Sequence, residues 1–225
     1  MRALYVTGTD TGMGKTLVST ALLHAFRGGG RHAVGMKPLA SGCVHSEEGW
    51  RNDDALALGE ASSSVAPYAD LNPYALPLPL APELAARSAG VEVRLDVIVA
   101  AFTRLQAQSE VTVVEGVGGW AAPLAADLDQ GDLVRALGLP VVMVVGMRLG
   151  CISHARLTAR AIVADGARLV GWVASHVDPE MECQDENFEL LRARLQVPCW
   201  GRLPYSPRCD ASVLARHLVI PGIAQ

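Results

Sequence analysis

The sequence predicts a doubly wound, mainly parallel α/β fold in one domain spanning residues 1–225. Three observations carry that expectation. Short apolar runs recur along the chain, helical patterns fall between them, and a glycine-rich stretch ending in Gly-Lys-Thr follows directly on the first run. Strands that are apolar on both faces belong in a parallel sheet covered by helices on each side.

The elements follow in order. "ALYVTG" (3–8) reads as the first strand, then "AVGMK" (33–37), "VTVVEG" (111–116), "PVVMVVG" (140–146), "LVGWVAS" (169–175) and a weaker "CWGRL" (199–203). Residues 14–27 place Leu17, Val18, Ala21, Leu22 and Ala25 on one helical stripe, and Gly28 to Gly30 stop it. Residues 95–107, 151–165 and 186–195 also read as helices. The proline-rich "ALPLPLAP" (75–82) reads as an extended loop.

Composition narrows the function classes. Half of the 225 residues are hydrophobic and 19% are charged, enough for a sizeable core. The net charge is -4 with no long basic run, which argues against nucleic acid or an anionic membrane as the main partner. Five cysteines, at 43, 151, 183, 199 and 209, form no CxxC pair, so a reducing cytoplasm is expected rather than a disulfide framework or zinc site. The opening "MRALYVTG" lacks a signal-peptide core, and "LPVVMVVGM" is too short to span a bilayer.

In such sheets ligands bind beyond the carboxyl ends of the strands. That rule gathers the glycine loop, Lys37, Glu115 with Gly116, Gly118 and Gly119, the "GMRLGCISHA" turn, and Ser175 with His176 on one edge. In "GTDTGMGKT" the backbone N–H groups and the start of the following helix suit phosphate oxygens. Lys15 would reach the β- and γ-phosphates, and the Thr16 hydroxyl would ligate Mg²⁺. A plain strand-to-helix turn is the competing reading, and Gly-Lys-Thr opening a helix after a first strand argues against it. This is the arrangement of the P-loop NTPase type of fold. Five residues separate Gly8 from Gly14, however, where the usual loop has four.

The remaining candidates are less specific alone. Glu115 suits Mg²⁺, but a carboxylate bonded to nearby backbone N–H groups reads equally well. Asp53 and Asp54 precede a helical run, where a helix cap and a solvated charge are an open alternative. Lys37 gains weight from its strand, which should lie near the loop and could offset charge on phosphoryl or carboxylate oxygens. Ser41 alone says little. His154 and His176 read as helix or loop residues rather than metal ligands.

Taken together the motifs resemble the dethiobiotin synthetase family. They are "VTGTDT" with "GKT" (6–16), "KPLASG" (37–42), "RNDDALAL" (51–58), "NPY" (72–74), "VEGVGGW" (114–120), "PVVMVVGMRLGCISHA" (140–155) and "GWVAS" (171–175). The five-residue spacing is that family's form of the loop. The resemblance implies an ATP-dependent ligase of biotin synthesis acting on 7,8-diaminopelargonic acid, CO2 or bicarbonate, and ATP, with Mg²⁺. Lys15 and Lys37 would be catalytic, and Thr16, Asp54 and Glu115 would hold the metal. Nucleotide contacts would come from Gly12, Met13, Gly14, Lys15, Thr16, Leu17, Asp54, Glu115, Gly116, Val117 and Gly118. Ser175, His176, Pro204, Tyr205 and Ser206 would lie at the base. Thr11, Lys37, Ser41 and Gly118 would meet the diamine.

The resemblance also implies a homodimer in which Gly150, Cys151, Ile152 and Ser153 bind the substrate carboxylate of the neighbouring subunit's site. Pro79 and Pro82 would line the aliphatic chain. Three positions depart from the family's pattern. Gly12 stands where a Glu is frequent, Ser175 where an Asn reads the adenine, and Ala211 where an acidic contact is expected.

Three other functions compete. A P-loop switch or partitioning ATPase would carry an early lysine where this chain has Thr9-Asp10-Thr11. An amide-forming ligase for a cobalamin precursor would need a glutamine-hydrolysing domain, for which 225 residues leave little room. A silent nucleotide-binding module would not be expected to keep Lys15, Thr16 and Glu115.

Overall fold

The computed structural model describes residues 1–207 and 210–222, so Cys209 lies outside the described residues. From the N-terminus the chain forms β1 (Ala3–Gly8), α1 (Lys15–Gly28), β2 (Ala33–Met36), β3 (Leu39–Ser41), β4 (Val44–Ser46), β5 (Gly49–Arg51), α2 (Asp53–Ala61), α3 (Tyr68–Leu71) and β6 (Tyr74–Leu76). It continues through α4 (Pro82–Ala89), α5 (Leu95–Ala107), β7 (Val111–Gly119), β8 (Pro123–Ala125), β9 (Leu128–Asp129) and α6 (Gln130–Leu137). Then come β10 (Val141–Met147), α7 (Cys151–Ala164), β11 (Leu169–His176), α8 (Gln184–Arg194), β12 (Cys199–Leu203) and α9 (Ala211–Leu214).

Six strands make the central sheet in the order β12-β11-β10-β1-β7-β2, every pairing parallel. All residues of β1 and β10 are buried, which is why neither shows apolar–polar alternation. Alternate residues feed two cores. Leu4, Val6, Val113, Val142 and Val144 meet α1 and α2 through Val18, Leu22, Phe26 and Leu58. Tyr5, Val114, Val141, Met143 and Val145 share the other face with Phe102, Leu133, Ile162 and Leu191 from α5 to α8. The chain leaves β1 towards one edge and β10 towards the other, so a crevice opens past the carboxyl ends of the middle strands.

The edge strand β2 is covered by side chains. Its Ala33 and Gly35 N–H groups donate to Ser63 Oγ at 3.0 Å and Ser62 Oγ at 2.9 Å. Those bonds satisfy an edge that would otherwise be open to another strand.

Among the differences between the structure and the sequence reading, three are informative. Residues 75–82 are not one extended loop, because β6 pairs with β3 and Pro82 opens α4. Proline's fixed φ suits that first helical position. The helix α6 was not expected, since its two turns are too short to display a period. The cap of α2 is Asn52, whose side chain accepts from the Ala55 N–H, and not Asp53 or Asp54. Among the described residues no helix is long and apolar enough to cross a membrane.

Candidate active site

The glycine loop leaves β1 at Gly8 and enters α1 at Lys15. Gly12 and Gly14 take φ of +76° and +81°, values costly for a side-chain-bearing residue. A Cβ on Gly14 would also stand 2.4 Å from Ser175 Oγ. Between these glycines Met13 is buried over the end of β10, where a Cβ on Gly146 would meet its sulfur at 2.2 Å. The residues between Gly8 and Gly14 thus include a side chain that anchors the loop to the sheet. Lys15 folds back over Gly8, and its Nζ donates to the Asp10 carbonyl at 3.1 Å. Desolvation, and after it the nearby Lys37 ammonium, lower its pKa to about 8.

Four elements then bring charged groups together. Lys37 follows β2, and its backbone is clamped. Its N–H donates to the Leu71 carbonyl at 2.8 Å, and its carbonyl accepts from Asn72 Nδ2 at 2.7 Å. Its Nζ donates to Glu115 Oε1 at 2.6 Å, Asp54 Oδ2 at 2.9 Å and the Gly116 carbonyl at 3.1 Å. All three ammonium protons therefore have acceptors, and the side chain is 3% exposed. Burial by itself would lower the Lys37 pKa, but Glu115 and Asp54 outweigh it and raise it. Asp54 is held below its usual value, since Lys37 and Thr16 outweigh its partial desolvation.

Thr16 Oγ1 lies 2.7 Å from Asp54 Oδ1 and 2.9 Å from Glu115 Oε1, so two carboxylates share its one proton. Glu115 is fully buried on β7, and among the described residues its Oε2 finds no hydrogen-bond partner. Thr16, Asp54 and Glu115 offer only hard oxygen donors, and the orphaned Oε2 is one a cation would satisfy. This donor set fits Mg²⁺. Among the described residues no cluster of three or more His, Cys, Asp or Glu side chains could hold a metal alone. Phosphate and water oxygens would complete the shell, as Mg²⁺ commonly allows.

A cleft of about 380 Å³ lies over this cluster. Its walls include Thr11, Gly12, Gly14, Lys15, Thr16, Lys37, Ser41, Asp54, Val117 and Gly118. Most of the phosphate-side and diamine-side candidates therefore share one cavity. Glu115 and Gly116 lie behind it, joined through Lys37. Leu17 is half-buried on α1 and Met13 faces the sheet, so neither side chain lines the cleft.

The other candidates sit apart. Ser175 abuts Gly14, while His176, Pro204 and Tyr205 line a separate depression with Arg202 and Gln184. Ser206 follows in the same loop. His176 Nε2 accepts from Arg202 Nε at 2.7 Å, and desolvation, then the Arg202 charge, lower its pKa. Gly150 caps α7 at φ +94°, Cys151 is buried, Ile152 is half-buried and Ser153 is exposed. None of these four lines the main cleft.

Two residues escaped the sequence reading. Asn72 clamps Lys37, and its signal was present in the "NPY" motif without a role attached. Gln130 is fully buried, and nothing in its local sequence marks it.

Residues 2–213 match a family model described as an AAA domain. A relative from Xanthomonas euvesicatoria pv. vesicatoria (strain 85-10), named ATP-dependent dethiobiotin synthetase BioD, is 64% identical over 97% of this chain and 98% of its own. One of the same name from Xylella fastidiosa (strain 9a5c) is 60% identical over 92% of each chain. The MinC:MinD cell division protein complex of Aquifex aeolicus shares the fold, with a TM-score of 0.59 at 14% identity over 97% of this chain and 87% of that one. The signal recognition particle receptor FtsY of Elizabethkingia anophelis does so at a TM-score of 0.55 and 13% identity, over 96% of this chain and 64% of that one. These two likenesses concern the fold alone. The chain belongs to the ATP-dependent dethiobiotin synthetase family.

Proposed function

We propose that the chain forms the ureido ring of dethiobiotin from 7,8-diaminopelargonic acid, CO2 and ATP, and that it works as one cytoplasmic domain within a homodimer. One amine nitrogen attacks CO2 and loses a proton, giving a carbamate. A carbamate oxygen takes the γ-phosphoryl group as its bond to the β-phosphate oxygen breaks, and ADP leaves. The second amine attacks the carbamoyl carbon, the C–O bond to phosphate breaks, and the ring closes with loss of a proton. No covalent enzyme intermediate is needed, so positioning and charge stabilisation carry the catalysis.

The observation that carries this reading is the Lys37–Asp54–Glu115–Thr16 cluster beneath a cleft shared with the phosphate loop. Lys15 neutralises oxygens of the β- and γ-phosphates. Lys37 gives up a carboxylate partner to meet the carbamate and the phosphoryl group in flight, and offsets charge that grows in the transition state. Thr16, Asp54 and Glu115 would hold Mg²⁺, which when bound would shield the phosphate charge. Thr11, Ser41 and the Gly118 backbone contact the diamine. The backbone of Gly150 to Ser153, opening α7, takes the carboxylate of substrate in the partner's site, where a helix N-terminus favours an anion.

An assay with the diamine, bicarbonate, Mg²⁺ and ATP tests this. The expected result is a ureido product in step with ADP. ADP without that product would sink it.

A further inference from the structure

Behind the cleft lies a polar pair that the roles above do not use. Tyr5 on β1 and Gln130 at the start of α6 are both fully buried. The Tyr5 hydroxyl donates to Gln130 Oε1 at 2.7 Å. Burial, and after it the Glu115 charge, raise the Tyr5 pKa, so the hydroxyl keeps its proton. An amide that accepts at its oxygen must turn its NH₂ the other way. Gln130 Nε2 accordingly faces three carbonyls where the irregular end of β7 passes into a turn, those of Val117 at 3.1 Å, Gly119, and Trp120 at 3.2 Å. Two N–H bonds serve three acceptors, so the turn is gathered around a single nitrogen.

That turn lies between the two halves of the site. Val117 and Gly118 line the cleft, and the Gly116 carbonyl accepts from Lys37 Nζ. Gly119 packs against the backbone of Thr9 and Asp10 in the phosphate loop. A Cβ on Gly116 would stand 2.4 Å from Gln130 Oε1 and 2.5 Å from the Tyr5 hydroxyl, so the pair also requires a glycine at 116. In a trans peptide the carbonyl and the next N–H project to opposite sides. Drawing the Val117 carbonyl onto Gln130 leaves the Gly118 N–H of the same peptide pointing the opposite way.

We propose that Gln130, oriented by Tyr5, is a positioning residue that sets the 116–120 turn for the diamine. It holds the Gly116 carbonyl on Lys37 and presents the Gly118 N–H to the amine or carbamate. This rests on the ring-closing reading above.

The test starts from wild-type protein, since absence of dethiobiotin there refutes the function itself and not this inference. Gln130→Leu and Tyr5→Phe are then compared for KM of the diamine, KM of ATP and melting temperature. Gln130→Leu should raise the diamine KM about tenfold, the scale of one or two lost hydrogen bonds, with the ATP KM within about twofold. Tyr5→Phe, which keeps the NH₂ but frees its orientation, should raise the diamine KM about threefold. If Gln130→Leu does not fold, Tyr5→Phe decides.

Gln130→Glu adds a readout that a purely structural role would not move. A protonated carboxyl can donate one bond to the turn, and an ionised one can only accept. Its diamine KM, relative to wild type, should therefore rise with pH. Unchanged constants, equal shifts in both KM values, or a flat pH profile for Gln130→Glu would each overturn the proposal.

Discussion

The two ends of the proposed nucleotide site are built differently. At one end, Lys37, Asp54, Glu115 and Thr16 come from four segments and bond to one another, with Lys37 alone making three bonds, one of them to the Gly116 carbonyl. At the other, Ser175 offers one hydroxyl beside Gly14, and His176 pairs with Arg202. Arg202 in turn reaches the exposed Asp185 and lies over the Phe188 ring at 5.0 Å. The first arrangement is a network in which losing Lys37 strands the buried Glu115 charge. The second is a chain of single contacts ending in solvent. Stabilising charge during phosphoryl transfer requires groups fixed beforehand. Contacts around a flat base tolerate more substitution.

The largest effect should come from breaking that network. Lys37→Ala leaves Glu115 without its buried partner, and kcat should fall by about 10²- to 10³-fold, with a smaller loss of nucleotide affinity. Stability should drop by about 3–5 kcal/mol, the usual scale for half of a buried pair. Steady-state kinetics with nucleotide titration would check this, and loss of nucleotide binding alone would contradict the assigned role. Next in size is Gly14→Ala, where the positive φ and the Ser175 hydroxyl both resist a Cβ. It should cost about 1–3 kcal/mol in thermal or denaturant unfolding. A variant as stable as wild type would show that the loop rearranges freely.

The open end should give smaller changes. Ser175→Asn restores a two-sided amide contact and should improve the preference for ATP over GTP by about three- to tenfold, read from kcat/KM ratios. An unchanged ratio would place the base elsewhere. The smallest expected effect concerns His176. Its folded pKa is lowered, so below the unfolded value of about 6.5 the unfolded chain binds the extra proton. Its contribution is present above that pH and fades as pH falls through it. Melting curves of wild type and His176→Asn should therefore diverge least at acid pH. A constant gap would remove the titration argument.

The phosphate loop was legible because a Gly-Lys-Thr turn after a first strand is a local pattern, whereas Lys37 and Glu115 were marked only by their places at strand ends. Asp54 was ambiguous for a physical reason. A first-turn aspartate looks the same whether it faces water or a lysine seventeen residues away. Asn72 lay within a recognised motif, yet its bond to the Lys37 carbonyl appears only after β2 and α3 are set side by side. The helix α6 was missed because eight residues give too few turns to reveal a face.

The parallel α/β architecture, the phosphate loop and the family can be read along the chain alone, because apolar period, glycine placement and ordered motifs are carried by neighbouring residues. Only the tertiary structure decided that Lys37 is fully paired, that Met13 seats the loop on Gly146, and that Tyr5 turns the Gln130 amide towards Val117. Tyr5 and Gln130 are 125 residues apart, and nothing in a linear pattern records which way a buried amide points.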